Sequence, residues 1–131
     1  MIPVMQTITT GPLSNCLQAA IASILERPIE TVPNFNEIRE GDWYWEMVKW
    51  FESQGYALIF CYAAGFSRAR SHGIGYHLMT VNSPRGDFHH ALVGYNGEPV
   101  HDPYPGGNCE HRGIYSFEFI VPLSARSGGA S

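Results

Sequence analysis

The spacing of the apolar residues changes at Gly55, and this change limits the fold classes that the chain can adopt. Before Gly55, apolar residues stand at positions 17, 20, 21, 24 and 25, the i, i+3, i+4 spacing of a helix with one buried face. After Gly55 the apolar runs are short and separated by turn residues, as in β-strands: 56–62, 76–81, 88–95 and 114–121. Helices first and strands afterwards predict an α+β domain, in which an N-terminal helix packs on an antiparallel sheet.

The first helix has sequence signals at both ends. Ser14 or Asn15 can serve as its N-cap, and Gln18 follows Asn15 by three residues, the spacing of a capping box. Its end is expected near Arg27, because Pro28 cannot continue a helix.

A second helix is predicted between Asp42, a good N-cap, and Gly55, a residue type that commonly follows a helix end. Helical spacing gives this segment a buried stripe of four residues: Tyr44, Met47, Val48 and Phe51. Its three tryptophans cannot all share that face, so at least one is expected to contact a loop or line a groove.

Length and charge exclude several classes of protein. The 131 residues predict one domain spanning 1–123, followed by a flexible Gly-rich tail over 124–131. A net charge of −4 with scattered Lys and Arg argues against an extended nucleic-acid surface. No apolar run approaches the ~20 residues that cross a bilayer, and the N-terminus has no signal-peptide pattern. With three cysteines, an odd number, and no disulfide framework, we expect a cytoplasmic protein whose partners include neither nucleic acid nor membrane.

The dipeptide Asn96-Gly97 is the strongest hairpin signal in the chain. With these two residues as the turn, Tyr95 faces Glu98 and His90 pairs with Pro103. Asp102 then lies close to His90 and to its neighbour His89. Because a carboxylate beside an imidazole fixes its tautomer and stabilises the imidazolium, this hairpin predicts the base and orienting group of an acid–base relay.

Cys16 lies at the first turn of the predicted N-terminal helix. Unpaired backbone N–H groups and the positive end of the helix dipole favour a thiolate there. A cysteine with His90 and Asp102 would complete a Cys-His-Asp nucleophilic system. The local spacing brings histidine and aspartate together, but it does not by itself bring Cys16 to them.

The chain resembles a papain-like cysteine peptidase in five short motifs, in this order: Gln6, Asn15-Cys16, Pro84-Arg85-Gly86, His90-Ala91 and His101-Asp102-Pro103. The likeness is greatest to the small C39-like peptidases of bacteria and phages, and it spans residues 6 to 103. It implies the papain-like fold, with Cys16 as nucleophile and His90 as general base and then acid. It further implies Asp102 as the orienting residue and Gln6 as a side-chain donor to the oxyanion hole, beside the backbone N–H of Cys16.

The resemblance implies a hydrolase that cleaves a peptide, isopeptide or other amide bond through a Cys16 thioester, with a peptide or protein as substrate and no cofactor or metal. An amine in place of water would make it an acyltransferase. The other function left open is a non-catalytic binding module on the same fold, such as a phage protein that captures a host protein or ligand. The oligomeric state stays open as well.

The other histidines and cysteines are expected to have structural roles or to belong to a weaker alternative site. His89 and His90 point to opposite sides of one strand, and the motif selects His90, which leaves His89 a structural or rim-lining role. Cys61 is expected in the core and Cys109 on the surface. A zinc site is a weaker alternative because the spacing lacks a CxxC or HExxH motif; its candidate ligands are His72, His77, His101, Cys109 and His111.

Overall fold

The computed structural model describes residues 1–38, 42–65 and 73–123. The helices are α1 (Cys16–Leu25) and α2 (Trp43–Ser53). They precede five strands: β1 (Tyr56–Tyr62), β2 (Tyr76–Asn82), β3 (His89–Tyr95), β4 (Glu98–His101) and β5 (Ile114–Pro122). The predicted α+β class and its antiparallel sheet are confirmed, whereas the predicted tail over 124–131 lies outside the described residues. No helix in the described part is long and apolar enough to cross a membrane.

The five strands form one antiparallel sheet in the order β1-β5-β2-β3-β4. The strands β2, β3 and β4 follow one another as neighbours. The last strand, β5, returns to lie between β1 and β2. The end of β3 that carries His89 and His90 thus lies near the edge of the sheet, next to the short strand β4.

The helices cover one face of the sheet, with α1 against β2 and β3 and α2 against β1. Alternation along the strands divides the core into two clusters, one on each face. On β2, for example, Leu78 belongs to the cluster beneath the helices and Met79 to the cluster on the opposite face. Loops rather than helices close that second cluster, where Ile74 and Cys109 pack against it.

The second helix forms as its end signals predict. The Asp42 carboxylate accepts hydrogen bonds from the backbone N–H groups of Tyr44 and Trp45, and Gly55 has a φ of +92° after the last turn. Met47 and Phe51 are buried, whereas Trp43 and Trp45 are exposed. The sequence signals were sufficient here because each is local.

The first helix begins and ends close to the predicted positions, but the predicted capping box does not form. It stops at Leu25, with Glu26 in the left-handed region at φ +56°. At the other end Asn15 is the N-cap residue, but its side chain does not cap the helix. The predicted capping box is therefore wrong.

An N-terminal segment without regular structure, residues 1–8, packs against α1. Ser23 is fully buried at this contact, where its hydroxyl accepts a 2.9 Å hydrogen bond from the backbone N–H of Val4. His101 Nε2 lies 2.8 Å from the carbonyl oxygen of Val4, and the N–H of Gln6 donates to the carbonyl of Pro103 at 2.8 Å. The segment thus connects α1 to the chain just after β4.

The hairpin between β3 and β4 contains a β-bulge. Asn96 and Gly97 both have positive φ, as a tight two-residue hairpin turn requires. The pairs that follow are Tyr95 with Glu98, Gly94 with Pro99 and Val93 with His101. Val100 is therefore the extra residue, and the predicted pairing of His90 with Pro103 is wrong.

Candidate active site

The sulfur of Cys16 lies against the backbone of β3. It accepts a 3.4 Å hydrogen bond from the N–H of Ala91, the residue that follows His90. Cys16 is half-buried at the first position of α1. Packing of α1 on β3 therefore brings together the cysteine and the histidine, which the sequence spacing could not do.

His90 and Asp102 form a buried pair. Nε2 of His90 lies 2.7 Å from Oδ1 of Asp102. The backbone N–H of Tyr104 also donates to Oδ1, at 3.0 Å, and the N–H of Cys109 donates to Oδ2 at 3.1 Å. Because the carboxylate accepts at Nε2, Nδ1 is the ring nitrogen left for a proton exchanged with Cys16.

The bulge determines on which side of the hairpin Asp102 lies. Continued by one residue beyond β4, the bulged register sets Asp102 opposite Leu92, a diagonal neighbour of His90 on the same side. In the regular register Asp102 would stand opposite Ala91 and its side chain would point to the other side. For the sequence as it stands, the histidine–aspartate contact thus depends on the bulged register.

The pKa of His90 is raised to about 9 in this setting. Burial alone would lower it, but the hydrogen bond to Asp102, the hydrogen bond and charge of Cys16, and the charge of Asp102 outweigh that effect. The ring is consequently an imidazolium at neutral pH.

The pKa of Asp102 is lowered. Burial opposes this shift, and it is overcome by hydrogen bonds from His90 and from the backbone N–H groups of Tyr104 and Cys109, and by the charge of His90. A carboxylate that accepts several N–H donors stays ionised in a buried position. The imidazole of His90 and the carboxyl of Asp102 are therefore both ionised at neutral pH.

Gln6 is buried beside Cys16, but its amide has partners within the chain. Its Nε2 donates to the carbonyl of Ile8 at 3.0 Å and to the Ser14 hydroxyl at 3.4 Å. Its Oε1 is buried and has no hydrogen-bond partner among the residues that the structure describes. The residue implied as an oxyanion donor thus lies at the site, with its N–H groups directed elsewhere.

Asn15 has a larger structural role than its sequence position suggested. Its Oδ1 accepts from the N–H groups of Thr7 and Ile8 at 3.0 and 2.8 Å, and its Nδ2 donates to Thr7 Oγ1 and to Gln18 Oε1. The side chain therefore binds the N-terminal segment instead of capping α1. The N–H groups of the first turn, beginning with that of Cys16, are left without a side-chain cap. No local pattern predicts this, because Thr7 and Ile8 reach Asn15 through a loop.

A cavity of about 630 Å³ lies beside these residues. Gln6, Cys16 and His90 line it together with residues of the loops 9–12 and 83–88. This volume is within the range of cavities that hold small ligands. A second cavity, of about 570 Å³, adjoins it and shares Phe88 and His89 as walls.

The remaining histidine and cysteine predictions have mixed outcomes. His89 is exposed at the rim of both cavities and stacks on Tyr115, with ring centroids 4.5 Å apart. Cys61 is half-buried against the second core cluster. The prediction that Cys109 is exposed is wrong, since Cys109 packs against the same cluster and its backbone supports Asp102.

The zinc alternative gains no support from residues 1–38, 42–65 and 73–123. Among them, no three His, Cys, Asp or Glu side chains are arranged to hold a metal ion. His77 is instead fully buried in the sheet, where its Nε2 lies 3.0 Å from the backbone nitrogen of Gly97. His72 lies outside the described residues.

Comparison of the chain with protein-family models, with curated protein sequences and with solved structures found no match. Any assignment of function therefore depends on the geometry of Cys16, His90 and Asp102 and on the sequence motifs.

Proposed function

We propose that the chain is a small papain-like cysteine hydrolase that cleaves an amide bond in a peptide or protein. The observation that carries this proposal is the convergence of Cys16, at the start of α1, with His90 and Asp102, which belong to the hairpin of β3 and β4 and its continuation. Cys16 and His90 line one cavity, and Asp102 binds His90 through Nε2, the ring nitrogen that is not left for Cys16.

The first half-reaction forms a thioester. An imidazolium next to a cysteine favours the thiolate, the attacking form of the residue. The sulfur of Cys16 adds to the substrate carbonyl to give a tetrahedral intermediate. As this intermediate collapses, the C–N bond breaks and His90 gives its Nδ1 proton to the leaving amine.

The second half-reaction releases the acid. His90, now neutral, takes a proton from water, which attacks the thioester carbonyl; the C–S bond then breaks and the thiolate–imidazolium pair is restored. Asp102 keeps the ring in the tautomer with Nε2 protonated throughout. The N–H of Cys16 at the uncapped start of α1 is the main candidate for oxyanion stabilisation.

One observation favours the alternative, a non-catalytic binding module. Both N–H groups of the Gln6 side chain have acceptors in Ile8 and Ser14, so the second oxyanion donor is not free in this state. A hydrolase must turn the amide of Gln6 or use the helix N–H groups alone, whereas a binding module needs neither.

The experiment is alkylation with iodoacetamide at pH 7, with each labelled cysteine identified by mass spectrometry. Cys16 should react at least about tenfold faster than Cys61 and Cys109, and His90→Ala should remove this advantage. His111→Ala, which changes an exposed histidine that lines neither cavity, is the matched control. Equal rates at the three cysteines, independent of His90, would refute a nucleophilic Cys16.

A turnover assay separates the two functions. The protein is incubated with peptides from a digest of denatured protein, and new termini are identified by mass spectrometry. A hydrolase produces cleavages that disappear in Cys16→Ser, while a reactive Cys16 without any cleavage supports the binding module.

A further inference from the structure

Arg85 occupies a particular position in the cavity beside Cys16. It is the only Arg or Lys among the described residues that line this cavity, and none of the lining residues is Asp or Glu. The chain as a whole carries a net charge of −4. This cavity wall is therefore positive on a protein that is otherwise acidic.

The guanidinium of Arg85 is held by an aromatic ring and not by an acid. Its Cζ lies over the Tyr104 ring, 3.6 Å from the centroid, in a cation–π contact. Within the described residues, the guanidinium has neither a carboxylate partner nor a hydrogen-bond acceptor. Its planar N–H donors, which match a carboxylate in bidentate geometry, are thus available.

Tyr104 connects Arg85 to the catalytic residues. Its backbone N–H binds Asp102 Oδ1 at 3.0 Å, and its ring meets that of His90 edge-on with centroids 6.4 Å apart. The ring that supports the guanidinium is therefore fixed relative to the His90–Asp102 pair. An anion bound by Arg85 would be held at a defined position in the same cavity as the sulfur.

We propose that Arg85 is a specificity residue that binds a carboxylate of the substrate. The carboxylate is either the side chain of an acidic residue or a free C-terminus near the bond that is cleaved. The substrate class rests on the hydrolase function proposed above, whereas the carboxylate site can be tested without any turnover.

The first test measures binding to Cys16→Ser by NMR titration with three capped dipeptides. Acetyl-Ala-Glu-amide carries a side-chain carboxylate, acetyl-Ala-Gln with a free C-terminus carries a terminal one, and acetyl-Ala-Gln-amide is neutral. We expect at least one acidic peptide to bind about tenfold more tightly than the neutral peptide. Which of the two does so identifies the source of the carboxylate.

The preference should disappear in Cys16→Ser/Arg85→Gln and be partly restored in Cys16→Ser/Arg85→Lys. The matched control is Arg27→Gln in the same background. Arg27 also lies over an aromatic ring, that of Trp50, but outside both cavities. Equal or undetectable binding of all three peptides, or a preference that survives Arg85→Gln, would overturn the proposal.

A second test uses two alkylating reagents of nearly equal size on the unmodified chain. Iodoacetate carries a carboxylate where iodoacetamide carries an amide, and with either reagent a sulfur–carbon bond forms as iodide leaves. The iodoacetate-to-iodoacetamide rate ratio should be about tenfold higher at Cys16 than at Cys109, and should fall in Arg85→Gln. The imidazolium of His90 also attracts the anion, so the comparison between wild type and Arg85→Gln is decisive: an unchanged ratio refutes the role of Arg85.

The two proposals fail separately. A carboxylate preference with an unreactive Cys16 would leave Arg85 as part of a ligand site and reject the hydrolase. A reactive, cleaving Cys16 with no dependence on Arg85 would do the reverse.

Discussion

The sulfur of Cys16 and the backbone N–H of Ala91, 75 positions apart in the chain, are joined by a 3.4 Å hydrogen bond. This bond places the sulfur beside the backbone of β3, so that the sulfur and the His90 ring are positioned by the same strand. Any change that shifts α1 along β3 would move the sulfur away from the imidazole. The site therefore depends on the packing of these two elements.

The stability of the fold should depend on pH through His90. Its pKa in the folded chain, about 9, exceeds the ordinary value of 6.5, so the ring stabilises the fold fully below pH 6.5 and this contribution is lost as pH rises through about 9. His90 is only 3% exposed, so solvent screens the effect little. The free energy of unfolding of wild type minus that of His90→Gln, from urea titrations, should decrease by up to about 3 kcal/mol between pH 6 and pH 10. A difference that is constant or grows with pH contradicts the raised pKa.

Asp102→Asn should uncouple the ring from its orienting group. The amide oxygen can still accept from the backbone N–H of Tyr104, so the loop is expected to keep its conformation. Without the carboxylate the pKa of His90 should fall, and alkylation of Cys16 at pH 7 should slow by about tenfold to a hundredfold. NMR titration of the His90 ring checks the first effect. An unchanged titration midpoint would show that the charge of Asp102 does not set the protonation of His90.

Gly107→Ala should impair the site without altering Cys16, His90 or Asp102 themselves. A Cβ at position 107 would lie 2.6 Å from Cγ of Asp102, too close for a stable contact. We expect the carboxylate to move off His90, with a loss of about tenfold in the alkylation rate of Cys16 and a lower pKa of His90. Asn108→Ala, at the next and exposed position, is the control. Equal behaviour of the two variants would mean that the loop adjusts without moving Asp102.

Asn15→Ala should destabilise the whole domain. It removes a buried side chain that makes four hydrogen bonds and leaves the N–H groups of Thr7 and Ile8 without their acceptor. A loss of about 2–4 kcal/mol in the free energy of unfolding is expected from urea titration. Asn15→Asp keeps the acceptor oxygen and loses only the donors, so it should be the less damaging change. Equal losses in the two variants would indicate that the donor contacts to Thr7 Oγ1 and Gln18, which both variants lack, provide the stability, and not the acceptor contacts.

Local signals in the sequence predicted much of the fold. The helix from Asp42 and the turn at Asn96-Gly97 form as expected because the residues that specify them are adjacent to them. The bulge at Val100 and the hydrogen bonds from Thr7 and Ile8 to the Asn15 side chain were not predicted. Each depends on how one segment meets another, which local sequence does not indicate.

The residues of the candidate site were predictable where residue type alone suggests them. Cysteine at a helix start, histidine on a strand and aspartate after a hairpin are the residue types of which nucleophilic systems are built, and the three lie together here. The stacking of Arg85 on Tyr104 was not predictable, because nothing along the chain indicates that the loop before β3 meets the loop after β4.

Because side chains alternate along a strand, the side of the hairpin on which Asp102 lies depends on its register after the bulge at Val100. Loss of Val100 would restore a regular ladder and leave Asp102 opposite Leu92, on the side of His90. One codon inserted between His101 and Asp102 would turn the carboxylate to the far side of the hairpin, while every strand kept its neighbours. For a chain of this design, a single insertion would therefore separate the histidine–aspartate pair without changing the fold.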